Sequence, residues 1–271
     1  MKCMSGKARP FALTPVFATI LAAGVLTVLL ERTSVTKTTQ WSIGIYSGPT
    51  PFDLSPSSLA QNPVLTADDV TDVRAEFVAD PFMIQRDTIW YMFFEVMNAG
   101  TGQGDIGLAL STDGHEWRYD GIVLDEPFHL SYPHVFSWER EHYLVPESHR
   151  DRTVRLYKAS YFPYGWTVVD TLIHGYHVDP TVFRRNGKWW LFVSNPSRDI
   201  LRLFWAFNLT DEWREHSASP IVRDNPHSAQ PAGRFVPWEG GFIRFAQDGK
   251  PTYGKMVYAF IIRALSESTY V

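Results

Sequence analysis

Residues 79–95 read ADPFMIQRDTIWYMFFE, which predicts a short apolar strand, a polar turn and a second strand rich in aromatic residues. The same plan returns in residues 132–147, 179–195 and 230–248. Each copy begins at a residue followed by proline, and the prolines at positions 81, 133, 180 and 231 are 52, 47 and 51 residues apart. A period near 50 residues is typical of propeller blades or other repeated units.

A second repeat runs in phase with the first. Residues 106–117, 154–166 and 201–213 each contain an alternating strand and a polar turn before a final tryptophan. A further strand follows each tryptophan, so every unit contains four strands, which is the number in a propeller blade. A β-sandwich is the alternative, but it gives no reason for two interleaved repeats of one period.

The repeats therefore predict an all-β, five-bladed β-propeller over residues 41–271. The four units that they define cover residues 68–125, 126–174, 175–223 and 224–271. The last blade is expected to be incomplete or to be closed by an N-terminal strand over residues 41–46, and the alternative is that this strand belongs to a fifth blade. Residues 48–67 are rich in Pro and Ser and predict a long surface loop.

The N-terminal segment predicts a membrane anchor. Residues 1–10 carry Lys2, Lys7 and Arg9 and are expected to form a cytoplasmic tail. Residues 11–30 are uncharged and long enough to span a bilayer as a signal anchor. Residues 31–40 are mostly polar and are expected to form a stem. The propeller is then expected on the non-cytoplasmic side, in the secretory pathway lumen or, in a bacterium, the periplasm or exterior. A cleaved signal peptide is the alternative.

Composition excludes several classes of function. The chain has 271 residues, 45% of them hydrophobic, and its net charge of −4 comes without a basic stripe, which argues against nucleic-acid binding. The single cysteine, Cys3, excludes an internal disulfide. The nine histidines fall into no metal-binding motif, so neither a metal nor a cofactor is predicted.

The repeated proline indicates which residues face the central channel. Proline cannot donate to a sheet ladder, so it occurs at the start of a strand or on an edge strand. The innermost strand of each blade is such an edge and lines the channel. The predicted channel-lining residues are therefore those before each proline, Asp80, Tyr132, Asp179 and Gln230.

Seven short stretches of the chain form a distinctive set: residues 78–82 (VADPF), 90–95 (WYMFFE), 127–133 (PFHLSYP), 146–148 (PES), 231–234 (PAGR), 245–248 (FAQD) and 253–254 (YG). Together they resemble the N-terminal domain of the glucosamine inositolphosphorylceramide transferases. In plant-type members this domain precedes a glycosyltransferase domain of family 64. The resemblance implies a recognition or accessory role in sphingolipid glycosylation, with a sugar or glycolipid head group as ligand and a separate glycosyltransferase as partner. Gln230 departs from the arginine expected before Pro-Ala-Gly.

Residues 78–82 also resemble, more distantly, a corner of the five-bladed propellers of glycoside hydrolase family 43. That resemblance implies Asp80 as a catalytic base, and Asp179 lies at a second such corner. Glu147 ends the second strand of its blade and is a candidate general acid with a raised pKa. Glycoside hydrolysis requires two carboxyl groups that flank the bond. The alternative is a structural role for each carboxyl group, which would cap the backbone of the hairpin or lie at the end of a strand ladder.

A further set of residues is expected to bind substrate. Glu95 occupies the same position in the first blade that Glu147 occupies in the second. The side chains of Arg234 and Gln247 are suited to bind a sugar hydroxyl or a phosphate. The alternative for Arg234 is a structural link between two blades. The full set is Glu95, Tyr132, His134, His177, Gln230, Arg234 and Gln247.

Three hypotheses stay open from the sequence. The first is a membrane-anchored recognition domain for a glycan or glycolipid. The second is a glycosidase-like enzyme that uses Asp80, Glu147 and Asp179. The third is a degenerate propeller with a scaffold role. Converging carboxyl groups in an open funnel favour the enzyme, and aromatic faces with hydroxyl partners favour the recognition domain.

Overall fold

A computed structural model of the chain describes residues 41–271. The predicted cytoplasmic tail, membrane anchor and stem, residues 1–40, lie outside the described residues and stay predictions. Within residues 41–271, no helix is both long and apolar enough to cross a bilayer. The helical structure of this range consists of two short 3₁₀ turns, Ala67–Asp69 and His149–Asp151.

The strands form four blade-like sheets and one small hairpin. The hairpin contains β1 (Tyr46–Thr50) and β2 (Asp53–Pro56). The first sheet contains β3 (Ala75–Arg86), β4 (Ile89–Asn98), β5 (Gln103–Ser111) and β6 (Arg118–Leu124). The second contains β7 (Ser131–Trp138), β8 (Glu141–Glu147), β9 (Thr153–Tyr161) and β10 (Tyr164–His174). The third contains β11 (Val178–Arg185), β12 (Lys188–Ser194), β13 (Leu201–Ala206) and β14 (Arg214–Glu215). The fourth contains β15 (Gln230–Pro231), β16 (Val236–Trp238), β17 (Gly241–Gln247) and β18 (Val257–Ile262).

The first three sheets follow one plan. Each is an antiparallel meander in which sequential strands are neighbours. The fourth sheet differs, because β15 and β16 both pair with one edge of β17 while β18 pairs with the other. All four lie within the units that the sequence repeats defined. The prediction of an all-β propeller is therefore confirmed, with four blades in residues 41–271.

The core lies between consecutive sheets. Phe93 of the first sheet and Leu144 of the second belong to one buried cluster. A second cluster joins the second and third sheets, and a third joins Trp190 of the third sheet to Phe242 of the fourth. Aromatic and branched side chains on both faces of each sheet thus remove apolar surface from water, which is the main favourable term in folding. Blades that pack face to face in sequence order produce the propeller.

The N-terminal segment contacts the first and the last blade. Ile43 is buried in a cluster with residues of the first sheet, including Met92. On the other side, Phe52 packs edge-on against Trp238 at a centroid distance of 5.2 Å. The strand predicted over residues 41–46 does not complete the fourth sheet: Ile43 forms an isolated bridge with Leu65, and β1 begins only at Tyr46 and pairs with β2. The predicted loop over residues 48–67 was wrong in part, because it contains β2 and the end of β1. The count of five blades is not confirmed.

Candidate functional site

A bulge recurs at the start of the inner strand in the first three blades. In each case the register places two residues opposite one: Asp80-Pro81, Tyr132-Pro133 and Asp179-Pro180. A bulge bends the strand and re-aims a side chain, and it tolerates a proline that has no N–H for the ladder. The residue before each proline is thereby turned toward the centre of the ring.

The three bulge residues share an unusual backbone conformation. Asp80, Tyr132 and Asp179 have φ values of 51°, 47° and 52°, in the left-handed region. Aspartate tolerates this region better than most residues, whereas a bulky tyrosine is a strong outlier. Left-handed backbone costs an L-residue about 1–2 kcal/mol. Such strain persists where the surroundings hold the residue in place, and it clusters at binding and catalytic sites.

Two further carboxyl groups come from equivalent positions on the second strands. Glu95 of β4 lies opposite Ala79, and Glu147 of β8 lies opposite Ser131, one residue before the bulge in each blade. In the third blade the same position is Ser194. Three blades therefore direct four carboxyl groups toward the centre, from Asp80, Glu95, Glu147 and Asp179.

These four carboxyl groups line one cavity of about 690 Å³. Its volume lies within the range of small-ligand sites, roughly 300–1,000 Å³. The other walls include Trp41 from the N-terminal segment, Arg198 from the loop after β12, and Gln247 and Tyr253 from the fourth blade. The cavity is where the inner strands of all four blades begin, and we call it the central cavity.

Glu147 is held as a carboxylate. Its Oε1 lies 2.6 Å from Nδ1 of His149, and its Oε2 accepts a hydrogen bond of 3.2 Å from the backbone N–H of Asp179. Burial alone would raise the pKa of Glu147, but the hydrogen bond and charge of His149, with the hydrogen bonds from Asp179, hold it below its ordinary value. This direction is opposite to the raised pKa expected of a general acid.

The other three carboxyl groups are held toward the protonated form. Burial, followed by repulsion from Glu147, raises the pKa of Asp80 to about 6. Burial and repulsion from Asp80 and Glu147 raise the pKa of Glu95 well above its ordinary value. The pKa of Asp179 is also raised well above its ordinary value, by burial and by repulsion from Glu147 and Asp80. One ionised carboxylate among three neighbours that resist ionisation is the expected state of like charges that share a site.

Each of the two buried groups beside Asp80 has a supporting contact. Glu95 Oε1 lies 3.5 Å from Nε2 of His129, whose Nδ1 accepts a hydrogen bond of 2.8 Å from the Gly104 N–H. Because Nδ1 accepts, the neutral imidazole carries its proton on Nε2, toward Glu95. Asp179 Oδ2 accepts a hydrogen bond of 2.6 Å from Nε2 of Gln230. These contacts fix the carboxyl groups within the cavity wall.

Gln230 supports the wall from behind. It is 2% exposed, and its Nε2 also donates to Oη of Tyr253 at 3.0 Å. Its Oε1 is buried and has no hydrogen-bond partner among the described residues. The predicted channel residue of the fourth blade thus positions two residues that line the cavity and lies behind them.

Tyr132 links three blades across the centre. Its Oη accepts a hydrogen bond of 2.7 Å from the Gly233 N–H and lies 2.9 Å from Oγ1 of Thr181. Its ring packs edge-on against Phe82 at 4.8 Å. The side chain is 4% exposed, so it forms part of the cavity floor and offers its hydroxyl to the protein.

Replacing Tyr132 with phenylalanine is expected to lower the free energy of unfolding by about 1 kcal/mol, because the Gly233 N–H and Thr181 lose a buried partner. Urea unfolding of the two proteins measures this difference. Tyr161→Phe is the control, since Tyr161 is 67% exposed. Equal effects of the two substitutions would contradict the linking role of Tyr132.

Besides Gln230, three predicted binding residues, all within the described part of the chain, lie outside the cavity lining. His134 is buried, and its Nδ1 accepts a hydrogen bond of 3.1 Å from the Val182 N–H. His177 contacts the ring of Phe204 at 6.0 Å. Arg234 donates to the carbonyl of Val135 at 2.9 Å, a contact between the fourth and second blades. These contacts match structural roles.

Sequence reasoning missed several lining residues whose side chains matter to the site, among them Trp41, His129, His149, Arg198 and Tyr253. His149 lies two residues after Glu147, and this spacing is the one signal that pointed to it. The others come from loops and from the N-terminal segment, where the repeat has no register. Among residues 41–271, no group of three or more His, Cys, Asp or Glu side chains is arranged to hold a metal ion.

Comparison with solved structures identifies the class of fold. An exo-β-1,3-galactanase from Phanerochaete chrysosporium, solved with galactose, matches with a TM-score of 0.67 and 17% identity over 82% of this chain and 53% of that chain. A β-xylosidase matches with a TM-score of 0.64 and 12% identity over 83% of this chain and 82% of that chain. At these identities the likeness shows the fold alone. The protein is a β-propeller of the type found in family 43 glycoside hydrolases.

The chain belongs to the family described as glucosamine inositolphosphorylceramide transferase 1, N-terminal, which matches residues 34–271. The transferase of that name from Oryza sativa subsp. japonica is 38% identical over 85% of this chain, and the one from Arabidopsis thaliana is 34% identical over 85%. The resemblance seen in the sequence is confirmed. The chain spans about a third of the length of these curated relatives, 34% and 33%.

Proposed function

We propose that the central cavity binds the sugar head group of a glycolipid, and that the domain serves as a recognition module in sphingolipid glycosylation. The observation that supports this proposal is the convergence of four carboxyl groups with Trp41 and Tyr253 in one cavity. Carboxyl groups exchange hydrogen bonds with sugar hydroxyls, and aromatic rings pack against the apolar face of a sugar ring. The curated relatives are named as transferases of glucosamine and inositolphosphorylceramide, which supports a sphingolipid context.

A recognition module needs a catalytic partner. We propose a glycosyltransferase as that partner and a membrane surface as the place where the lipid is presented. The N-terminal segment, residues 11–30, is the proposed anchor, with the propeller on the non-cytoplasmic side. In that arrangement the cavity holds the head group while the partner transfers the sugar.

Binding is tested with the full chain in detergent and a soluble head-group fragment in which glucosamine is linked to inositol phosphate. We expect Asp80→Asn and Tyr253→Ala to weaken binding at least tenfold in titration calorimetry, or about 1.4 kcal/mol, because each removes a contact from the cavity wall. Asp87→Asn is the matched control, since this carboxylate is 89% exposed in a hairpin turn. If no binding is detected, or if Asp80→Asn binds like the unsubstituted protein, the proposal fails.

A glycosidase-like activity is the second candidate. The observation that favours it is that Asp80 and Glu95 both line the cavity with raised pKa values, as a general base and a general acid near neutral pH require. Glu147 fits this role less well than the sequence suggested, because both of its oxygens are engaged. Release of nitrophenol from a panel of aryl glycosides, abolished by Asp80→Asn, would support hydrolysis.

A further inference from the structure

We propose that a strip of exposed apolar side chains beside the central cavity docks on the head-group region of an anionic lipid bilayer. This inference rests on the proposed function, since it names the surface that brings the cavity to its lipid. The strip, which we call the apolar strip, follows the fourth blade from the loop after β17 into β18. Its members are between 36% and 58% exposed and are Tyr253, Met256, Val257, Tyr258, Phe260 and Ile261.

The apolar strip lies at a free edge of the fourth sheet. The first three sheets each continue to a fourth strand, whereas within residues 41–271 β18 pairs on one side only, with β17. Side chains alternate along a strand, so Val257 and Ile261 lie on one face of β18 and Tyr258 and Phe260 on the other. Natural edge strands usually carry charges, proline or a bulge, and β18 reads VYAFII with none of these. An exposed apolar edge of this kind indicates an interaction surface.

The charges around the apolar strip match an anionic surface. Residues 249–263 contain three cations, Lys250, Lys255 and Arg263, and no Asp or Glu, in a chain whose net charge is −4. All three cations are exposed, and none of them forms an ion pair with another residue of the described range. Lysine and arginine near a bilayer are attracted to anionic lipid head groups. Aromatic and aliphatic side chains flanked by such cations are typical of segments that bind at the membrane interface.

The apolar strip is continuous with the central cavity. Tyr253 and Val257 belong to the strip and also line the cavity, so the strip borders the opening of the cavity. A propeller that docks through this strip holds the opening against the head-group layer. The sugar of a glycolipid then reaches the cavity while the acyl chains of the same molecule stay in the bilayer.

The predicted membrane anchor is joined to the propeller beside the apolar strip. Ten residues separate the predicted span, residues 11–30, from Trp41, and ten fully extended residues reach at most about 35 Å. The rings of Trp41 and Tyr253 meet edge-on, with centroids 6.1 Å apart. The tether thus ends at a residue that contacts the strip, and a short tether raises the effective concentration of the strip at the bilayer.

The free edge of β18 limits how deep the strip can lie. Within the described residues, the outer backbone N–H and C=O groups of β18 have no neighbouring strand. Such groups are costly in the hydrocarbon core, where no water is available to pair with them. In the head-group region water satisfies the backbone while the apolar side chains contact the lipid. The docking is therefore shallow.

A water-sensitive fluorescent dye measures the environment of the apolar strip. The full chain is placed in lipid nanodiscs that hold one copy each, with Cys3→Ser and one labelled cysteine from Met256→Cys, Ile261→Cys or Asp87→Cys. Asp87 is the control, since it is 89% exposed in the turn at the far end of β3. In discs that contain phosphatidylserine we expect the emission of the first two labels to rise about twofold relative to Asp87→Cys, because contact with lipid removes the dye from water.

Reversal of charge tests the preference for an anionic surface. Lys250→Glu combined with Lys255→Glu is expected to remove most of the rise, and so is the use of discs made of neutral phosphatidylcholine alone. Arg86→Glu combined with Arg140→Glu is the matched control. It makes the same change of net charge at hairpin turns outside the apolar strip, and the rise is expected to persist.

Equal emission from the three labels in anionic discs would overturn the inference. A rise that neutral discs reproduce in full would overturn the assignment to an anionic surface. A rise confined to discs that hold two copies would assign the strip to a second copy of the chain and overturn the docking on lipid. Each of these results leaves the recognition role standing, because that role is tested with the soluble head-group fragment. Absence of binding in that titration, with the strip labels shielded from water here, would overturn the recognition role and leave the membrane contact.

Discussion

Replacing Glu147 with alanine is expected to lower the free energy of unfolding by about 3–5 kcal/mol and to abolish ligand binding. The carboxylate is 4% exposed and holds His149 on one oxygen and the Asp179 backbone on the other. Removal leaves a buried donor without a partner and frees the bulge that positions Asp179. The loss of repulsion on Asp80 and Glu95 offsets part of this cost. Urea unfolding followed by tryptophan fluorescence measures the change.

Two variants control this experiment. The first is Glu141→Ala. Glu141 lies on the same strand, β8, is half-exposed and forms an ion pair of 3.0 Å with Lys158. Its replacement is expected to lower the free energy of unfolding by less than about 1 kcal/mol. Glu147→Gln keeps the shape of the side chain and one acceptor oxygen. Its loss of unfolding free energy should therefore fall between those of Glu147→Ala and Glu141→Ala. If Glu147→Ala proves as stable as Glu141→Ala, the carboxylate network does not hold the centre of the propeller.

Asp80→Asn is expected to change how stability depends on pH. In the folded protein the pKa of Asp80 is raised to about 6 from an ordinary value of 3.8, so between these values the folded state binds more protons than the unfolded state. The contribution of Asp80 to stability therefore falls as pH rises through this window. Because the side chain is half-buried and its charge is partly screened by solvent, this fall in the free energy of unfolding is on the order of 2 kcal/mol.

The measurement is the difference in unfolding free energy between Asp80→Asn and the unsubstituted protein at pH 4, 5, 6 and 7. The difference is used because histidines with lowered pKa values, such as the buried His134 and the half-buried His177, stabilise the folded state as pH rises and mask the carboxyl effect in a single curve. We expect the variant to gain stability relative to the unsubstituted protein as pH rises. A difference in unfolding free energy that stays constant with pH, or one that favours the unsubstituted protein at pH 7, contradicts the raised pKa of Asp80.

The blades were predictable because the sequence repeats itself. The X-Pro corner recurs every 50 residues or so, and alternation between apolar and polar residues predicts strands on either side. The number of blades was not predictable in the same way. The hairpin of β1 and β2 has only short, exposed strands, and its contacts with Trp238 depend on tertiary packing that no local pattern encodes.

The residues of the site also fall into two groups: those that a sequence pattern predicts, and those whose position depends on tertiary packing. Asp80, Tyr132 and Asp179 were expected to face the channel because each precedes a proline, and the bulges turn them there. Arg198 and Tyr253 reach the cavity from loops, and Trp41 reaches it from the N-terminal segment. Their positions depend on tertiary contacts, such as those of Tyr253 with Trp41 and with Arg198. The lowered pKa of Glu147 also depends on contacts with His149 and Asp179 that only the folded chain provides.

The position of a bound sugar tests the central claim most directly. A crystal structure of the protein with methyl glucosaminide would show it. We predict that the sugar lies in the central cavity, with its ring against Trp41 or Tyr253 and its polar groups on Asp80 and Glu95. A sugar bound elsewhere, for example in the depression of about 470 Å³ beside Trp117, with only water in the central cavity, would contradict the account.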